Sequence, residues 1–98
     1  VAGRERLWRL LIPPEAPLGD DLDVAFLARR FPLTGGEVRN VALHAAFMAA
    51  EEAAPIGMAH AIRALGRERT RQGRLPSKSE FQQYVELARF DGGVTERQ

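Results

Sequence analysis

The sequence predicts an all-α fold: a small four-helix bundle with an additional helix at the C-terminus. Three observations carry that expectation. Apolar residues recur three and four positions apart in successive stretches. Two stretches open on capping-box residues, Thr34 with Glu37 and Ser77 with Glu80. No stretch shows the period-two alternation of a half-buried strand. The 98 residues make one domain, residues 1–98, large enough to bury somewhat over ~60% of the unfolded surface.

The first stretch, "GRERLWRLLIPP", places Leu7, Leu10 and Leu11 at helical spacing, with Trp8 beside them as a core residue. Pro13 and Pro14 end it, because proline removes a backbone donor and restricts its predecessor. Three prolines keep the following "PPEAPLGD" a rigid loop. "DDLDVAFLARRF" reads as a short helix capped by Asp23, with Leu22 and Leu27 as a hydrophobic staple. Its inward face is Val24, Leu27 and Phe31, and Pro32 stops it.

The third helix starts after Thr34, with Glu37 completing the box and Leu33 and Val38 in the staple positions. Val38, Val41, Ala42, Ala45, Met48 and Ala49 form its apolar face, and Leu43 and Phe47 widen it. At ~1.5 Å per residue this helix is about 27 Å long. "AAPIG" is a short connection, so the next helix should return antiparallel. That helix, "MAHAIRALGRERTRQG", faces inward with Met58, Ile62 and Leu65, becomes charged and protrudes beyond Gly66, and stops at Gly73. The C-terminal helix, residues 77–90, carries Phe81, Tyr84, Val85 and Ala88 on one face. Asp91, Gly92 and Gly93 end it, and "VTERQ" frays.

Composition excludes several functions. A net charge of +1 gives no general attraction to nucleic acid or to an anionic membrane. Without cysteine there is neither a disulfide framework nor a thiolate metal site. No apolar run approaches the ~18 residues of a membrane span and no signal peptide opens the chain, so the expected location is cytoplasmic. Thirteen arginines and one lysine, Lys78, suggest the codon usage of a GC-rich genome. The chain opens on Val1, so we expect it to be a piece of something longer.

Catalytic chemistry is missing from the pattern. There is no G-x-x-x-x-G-K-[ST] phosphate loop and no H-E-x-x-H. His44 and His60 have no ligand partner at i+3 or i+4, and Ser77 and Ser79 sit in a capping segment. The expectation is no enzyme in this chain alone, no catalytic residue and no metal site. The basic run "RERTRQGR", with Arg67, Arg69, Arg71 and Arg74, reads either as a solvated helix end or as a contact surface for a protein or for phosphates. No aromatic side chain interleaves with it to stack bases.

The stretch "FPLTGGEVRN" is the unusual one. Glycine costs roughly 1 kcal/mol against alanine inside a helix, and Arg39 faces the positive end of the helix dipole. Bare amides at Gly35 and Gly36 allow close approach of another molecule's polar surface. Arg39 follows Gly35 by four residues and Gly36 by three, so all three share one side. Together they make a small site for a phosphate or a nucleotide edge. Relief of crowding against Pro32, and pairing of Arg39 with Glu37 or another acid, are the structural alternatives.

The order of elements over about residues 4–74 resembles the C-terminal lid of AAA+ ATPases. Its best part is "LDVAFLARRFPLTGGEVRNVALHAAFMAA": a short Asp-capped helix, a small turn, then a long alanine-rich helix. Gly35, Gly36, Glu37 and Val38 stand where the family has Gly-Ala-Asp-Leu or a variant. "PIGMAHAIRAL" is similar to the last lid helix, and the wording is similar to bacterial AAA ATPases encoded with phage-tail-like contractile assemblies. The resemblance implies that Gly35 and Gly36 lie against adenine and ribose. It implies that Arg39 matches the sensor 2 arginine that reaches the phosphates; the clade with the Gly-Ala-Asp-Leu pattern has a small residue there, and this sequence departs from it. It also implies ATP or ADP with Mg²⁺ in the full-length protein, and none bound by this fragment alone. The implied partners are a large core domain of the same chain and a neighbouring subunit of a ring, with no membrane or nucleic acid and a monomeric fragment. Two rival readings stand beside it. One is a free-standing interaction module with an apolar groove at Phe47, Phe81 and Tyr84. The other is a small nucleic-acid binder using the arginines of 67–74.

Overall fold

The computed structural model describes residues 2–88. They form five α-helices: α1 (Ala2–Leu11), α2 (Val24–Arg30), α3 (Gly35–Glu51), α4 (Met58–Arg71) and α5 (Lys78–Phe81). A 3-10 turn, Gln82–Tyr84, follows α5, and residues 85–88 are again helical. Among the described residues there is no strand, only an isolated parallel bridge between Leu18 and Ile56. The all-α expectation holds. The expected end of the C-terminal helix near 91–93 and its frayed tail lie outside the described residues.

The predicted caps explain the boundaries. Asp23 accepts from the Phe26 amide at 3.0 Å and starts α2. Thr34 Oγ1 accepts from the Glu37 amide at 3.1 Å, while Glu37 Oε1 accepts from the Thr34 amide at 2.8 Å. Both halves of that box are therefore made, and Gly35 and Gly36 are the first two helical residues, as expected. The second expected box is only half made. Ser77 Oγ accepts from the Glu80 amide at 3.3 Å, but the Glu80 carboxylate turns away to Arg69. The C-terminal helix is also broken where the sequence predicts continuity. Gln82 adopts φ +53, a left-handed conformation that is costly for a residue with a Cβ.

α3 and α4 are antiparallel: Glu37 meets Gln72 at one end, and Glu52 meets His60 at the other. α1 packs across α2 and α3, and Arg4 Nε donates to the Ala28 carbonyl at 2.7 Å. The core contains Trp8, Leu27, Phe31, Val38, Val41, Ile62, Leu65 and Phe81. Phe31 sits between two rings, 4.9 Å from Phe81 and 6.4 Å from Phe26. Phe26 is a core residue the periodicity did not single out.

Two expected faces are corrected. Leu43 and Phe47 do not widen the buried stripe of α3; they are 45% and 64% exposed. On a 3.6-residue helix the stripe through Val38, Val41, Ala45 and Ala49 already fills the inward arc, so 43 and 47 point away. Nor does α4 protrude beyond Gly66. Gly66, Glu68 and Arg69 are buried, because the C-terminal segment folds back on them. A Cβ on Gly66 would stand 2.7 Å from the Ala88 carbonyl oxygen, so glycine permits that approach.

The long connection between α1 and α2 is strapped to the α3–α4 turn. Ile56 N–H donates to the Pro17 carbonyl at 2.8 Å, and Gly19 N–H donates to the Ile56 carbonyl at 2.7 Å. Asp21 Oδ1 then accepts from the Met58 amide at 3.1 Å. A residue 37 positions away thus supplies a cap that Gly57, having no side chain, cannot. His60 adds a second cap: Nδ1 accepts from the Gly57 amide at 2.9 Å. Its proton therefore sits on Nε2, which lies 2.8 Å from Glu52 Oε1.

Candidate ligand-facing helix end

Gly35, Gly36 and Arg39 are all exposed. The amides of Gly35 and Gly36 occupy the first two helical positions, where a helix has no acceptor of its own. A Cβ built on Gly35 meets nothing within 4 Å; one on Gly36 meets only Thr34 Oγ1, at 4.0 Å. Neither residue has a positive φ. The chain's own packing and conformation therefore do not require glycine at either position. Crowding against Pro32, the structural alternative for these glycines, is absent. Arg39 makes no hydrogen bond or ion pair with another described residue, so the expected pairing with Glu37 is also absent.

Glu37 is committed elsewhere. Besides its cap bond, its Oε2 accepts from Gln72 Nε2 at 2.6 Å. The bond from the Thr34 amide, assisted by Gln72 and the nearby Arg69 charge, holds its carboxyl below the usual range despite partial burial. The first turn thus carries an ionised carboxylate that favours the helix dipole, beside two bare amides and an uncommitted guanidinium one turn on. Gln72 belongs to this site and was missed by sequence reasoning. Its only signal was its place just before the Gly73 stop of the returning helix.

The basic run divides into separate duties. Arg69 is 4% exposed, pairs with Glu80 at 3.0 Å and lies 5.9 Å over the Phe31 ring. Arg71 binds Glu68, itself 3% exposed, at 2.6 and 3.3 Å. Arg74 stands 3.8 Å from Glu80, and Arg67 is exposed. Arg69, Arg71 and Arg74 are each met by Glu68 or Glu80, Arg69 in the interior and the other two at the surface, so the contact-surface alternative loses cations to internal pairing. That weakens the nucleic-acid reading, since phosphate contacts need cations not already neutralised.

The expected groove at Phe47, Phe81 and Tyr84 is not formed. Phe81 is completely buried, and Tyr84 packs edge-on against Phe26 at 5.2 Å. Phe47 instead helps line another groove of about 390 Å³ with Leu43, Ala46, Ala50, Pro13 and Pro17. Glu15 is its one charged lining residue. His44 is exposed, whereas His60 is buried as a cap. Among the described residues no cluster of His, Asp or Glu is arranged to hold a metal ion, and no helix is long and apolar enough to cross a membrane. Compared with known proteins, the chain matches no family model, no curated relative and no solved structure.

Proposed function

We propose that this chain is the helical lid of an AAA+ ATPase, closing one side of a nucleotide pocket whose phosphate loop and Mg²⁺ ligands belong to a core domain. One observation carries the reading: the start of α3 is left bare by two glycines that its own packing does not use. Residues that cost helix stability without serving the fold are best explained by an external surface. In this reading the Gly35 and Gly36 amides lie against the adenine and ribose of ATP or ADP, and Arg39 reaches toward the phosphates. The lid itself performs no chemistry. It turns according to the difference between its contacts with the two nucleotides, and passes that turn to a neighbouring ring subunit. Such a protein would work in the cytoplasm.

Arg39 is the natural carrier of that difference, because a γ-phosphate adds charge within reach of a guanidinium. In the full-length protein, Arg39→Ala should lower ATP turnover ten-fold or more while changing ADP affinity less than three-fold. Steady-state kinetics and calorimetry would measure this, and equal losses in both would remove Arg39 from phosphate sensing. Gly36→Val should impair nucleotide binding while the circular dichroism of the 98-residue chain stays unchanged.

A second reading is favoured by the exposure of Phe47. The groove it shares with Pro13, Pro17 and Leu43 would seat an apolar protein segment, making the chain an interaction module. A reading frame carrying a phosphate-loop motif ahead of Val1 would decide for the lid.

A further inference from the structure

Gln72 occupies an unusual position. It is the C-cap of α4, and its side-chain amide lies between two carboxylates. Nε2 donates to Glu37 Oε2 at 2.6 Å and to Glu68 Oε2 at 3.1 Å. Its Oε1 accepts from Arg69 Nη1 at 3.5 Å. Both amide hydrogens are therefore used, and a flipped amide would aim its oxygen at two carboxylates. A glutamate here would put a fourth carboxylate beside Glu37, Glu68 and Glu80.

The bonds continue in both directions. From Glu37 the other carboxylate oxygen reaches the Thr34 amide. From Arg69, Nη2 reaches Glu80 Oε2 at 3.0 Å, and the Glu80 amide donates to Ser77 Oγ. An unbroken polar chain thus runs from the N-cap of α3 to the N-cap of α5. α3 and α5 share little direct packing; along the chain Thr34 is exposed, Glu37, Gln72, Ser77 and Glu80 are half-buried, and Arg69 is buried. Charged hydrogen bonds in such surroundings influence one another more strongly than in solvent.

We propose that Gln72 is a positioning residue that couples the start of α3 to the C-terminal segment, so that displacement of Glu37 is transmitted through Arg69 to residues 78–88. Its use in a nucleotide response rests on the lid reading above; the coupling itself does not. A ligand group pressing on Gly35 and Gly36 would disturb the Glu37 carboxylate that caps the same turn. Gln72 would then lose one of its two carboxylate partners, and Arg69 would shift against Glu80. The occupied state of the helix start would be read out at the opposite side of α4.

The test uses the 98-residue chain without nucleotide, so failure of the lid reading cannot masquerade as failure of the coupling. Glu37→Gln keeps the capping box, since glutamine serves equally at that position, but sets two amide donors face to face and breaks the bond to Gln72. Glu80→Gln weakens the far end without deleting its acceptor. Residues with no direct contact normally act independently on the unfolding equilibrium. Here the two substitutions should depart from independence by at least three-fold, and in a Gln72→Ala background they should become independent. The side-chain N–H resonance of Arg69 should move on Glu37→Gln only when Gln72 is present, a change that loss of stability alone would not produce. Independent effects in the Gln72 protein, or an Arg69 resonance indifferent to Glu37, overturn the proposal.

Discussion

The two ends of the α3–α4 pair are finished by different means. At the end holding Thr34 and Gln72, Glu37, Glu68 and Glu80 interlock with Arg69, Arg71 and Arg74. At the other end Asp21 and His60 cap α4, and the neighbouring surface is the apolar groove of Phe47. The C-caps differ as well. α4 ends in a Schellman motif: Arg74 N–H donates to the Arg69 carbonyl and Gly73 N–H to the Thr70 carbonyl, with Gly73 at φ +81. α3 ends in the same motif, with Ala54 donating to Ala49 and Ala53 donating to Ala50, but with Ala53 at φ +54. The charged end stops α4 on a glycine that suits its left-handed position, although its Glu37–Gln72 bond spans 35 positions. The other end relies on a distant loop and accepts a strained alanine.

The largest effect expected from this difference is at Arg69. Arg69→Ala leaves Glu80 without its near partner and removes the cation over Phe31. Breaking a fully buried pair by removing one member costs about 3–5 kcal/mol; with Glu80 half-buried and Arg74 still 3.8 Å from it, the loss should lie toward the lower end of that range, which urea denaturation would register. A cost below about 1 kcal/mol would mean that the network behaves as a surface pair.

The C-caps give opposite signs. Gly73→Ala forces a Cβ into the left-handed region and should destabilise by about 1 kcal/mol. Ala53→Gly relieves the same cost and should stabilise by a similar amount, less the extra freedom glycine has when unfolded. Matching signs would contradict the contrast between the two caps.

The charged end should also be the acid-sensitive one. A carboxyl with a depressed native pKa binds protons more readily when unfolded. Its contribution is therefore complete above the unfolded value of about 4.3 and disappears as pH falls through the lower native value. For Glu37, held below 4.5 by the Thr34 amide, Glu37→Gln should flatten the fall in stability between about pH 5 and pH 3. Urea midpoints across that range would show it, and an unchanged slope would assign the acid sensitivity elsewhere.

The smallest effect belongs to Phe47. At 64% exposure, Phe47→Ser should change stability by no more than about 0.5 kcal/mol. A larger loss would mean that the groove is part of the core and not an open surface.

Much of this was legible in the residues. These caps need only neighbours in sequence, so Asp23, the Thr34–Glu37 box and the Gly73 stop could be placed without coordinates. The same holds for the bare glycines and Arg39, whose shared side follows from helical spacing. Periodicity identified Val38, Val41, Ile62 and Leu65 as core but misjudged Leu43 and Phe47. An apolar residue at the margin of a stripe is buried only if another element arrives there.

The sequence by itself determined that the chain is helical, where four of its helices begin, and that the third opens on an unusual turn, because those features depend on interactions within one or two turns. Only the tertiary structure decided that Asp21 caps α4, that the arginines of 67–74 are mostly neutralised, and that Gln72 joins two carboxylates to a buried guanidinium. Each of these is a directional bond between distant residues, formed when burial brings them together and removes competing water, and no local periodicity encodes such a meeting.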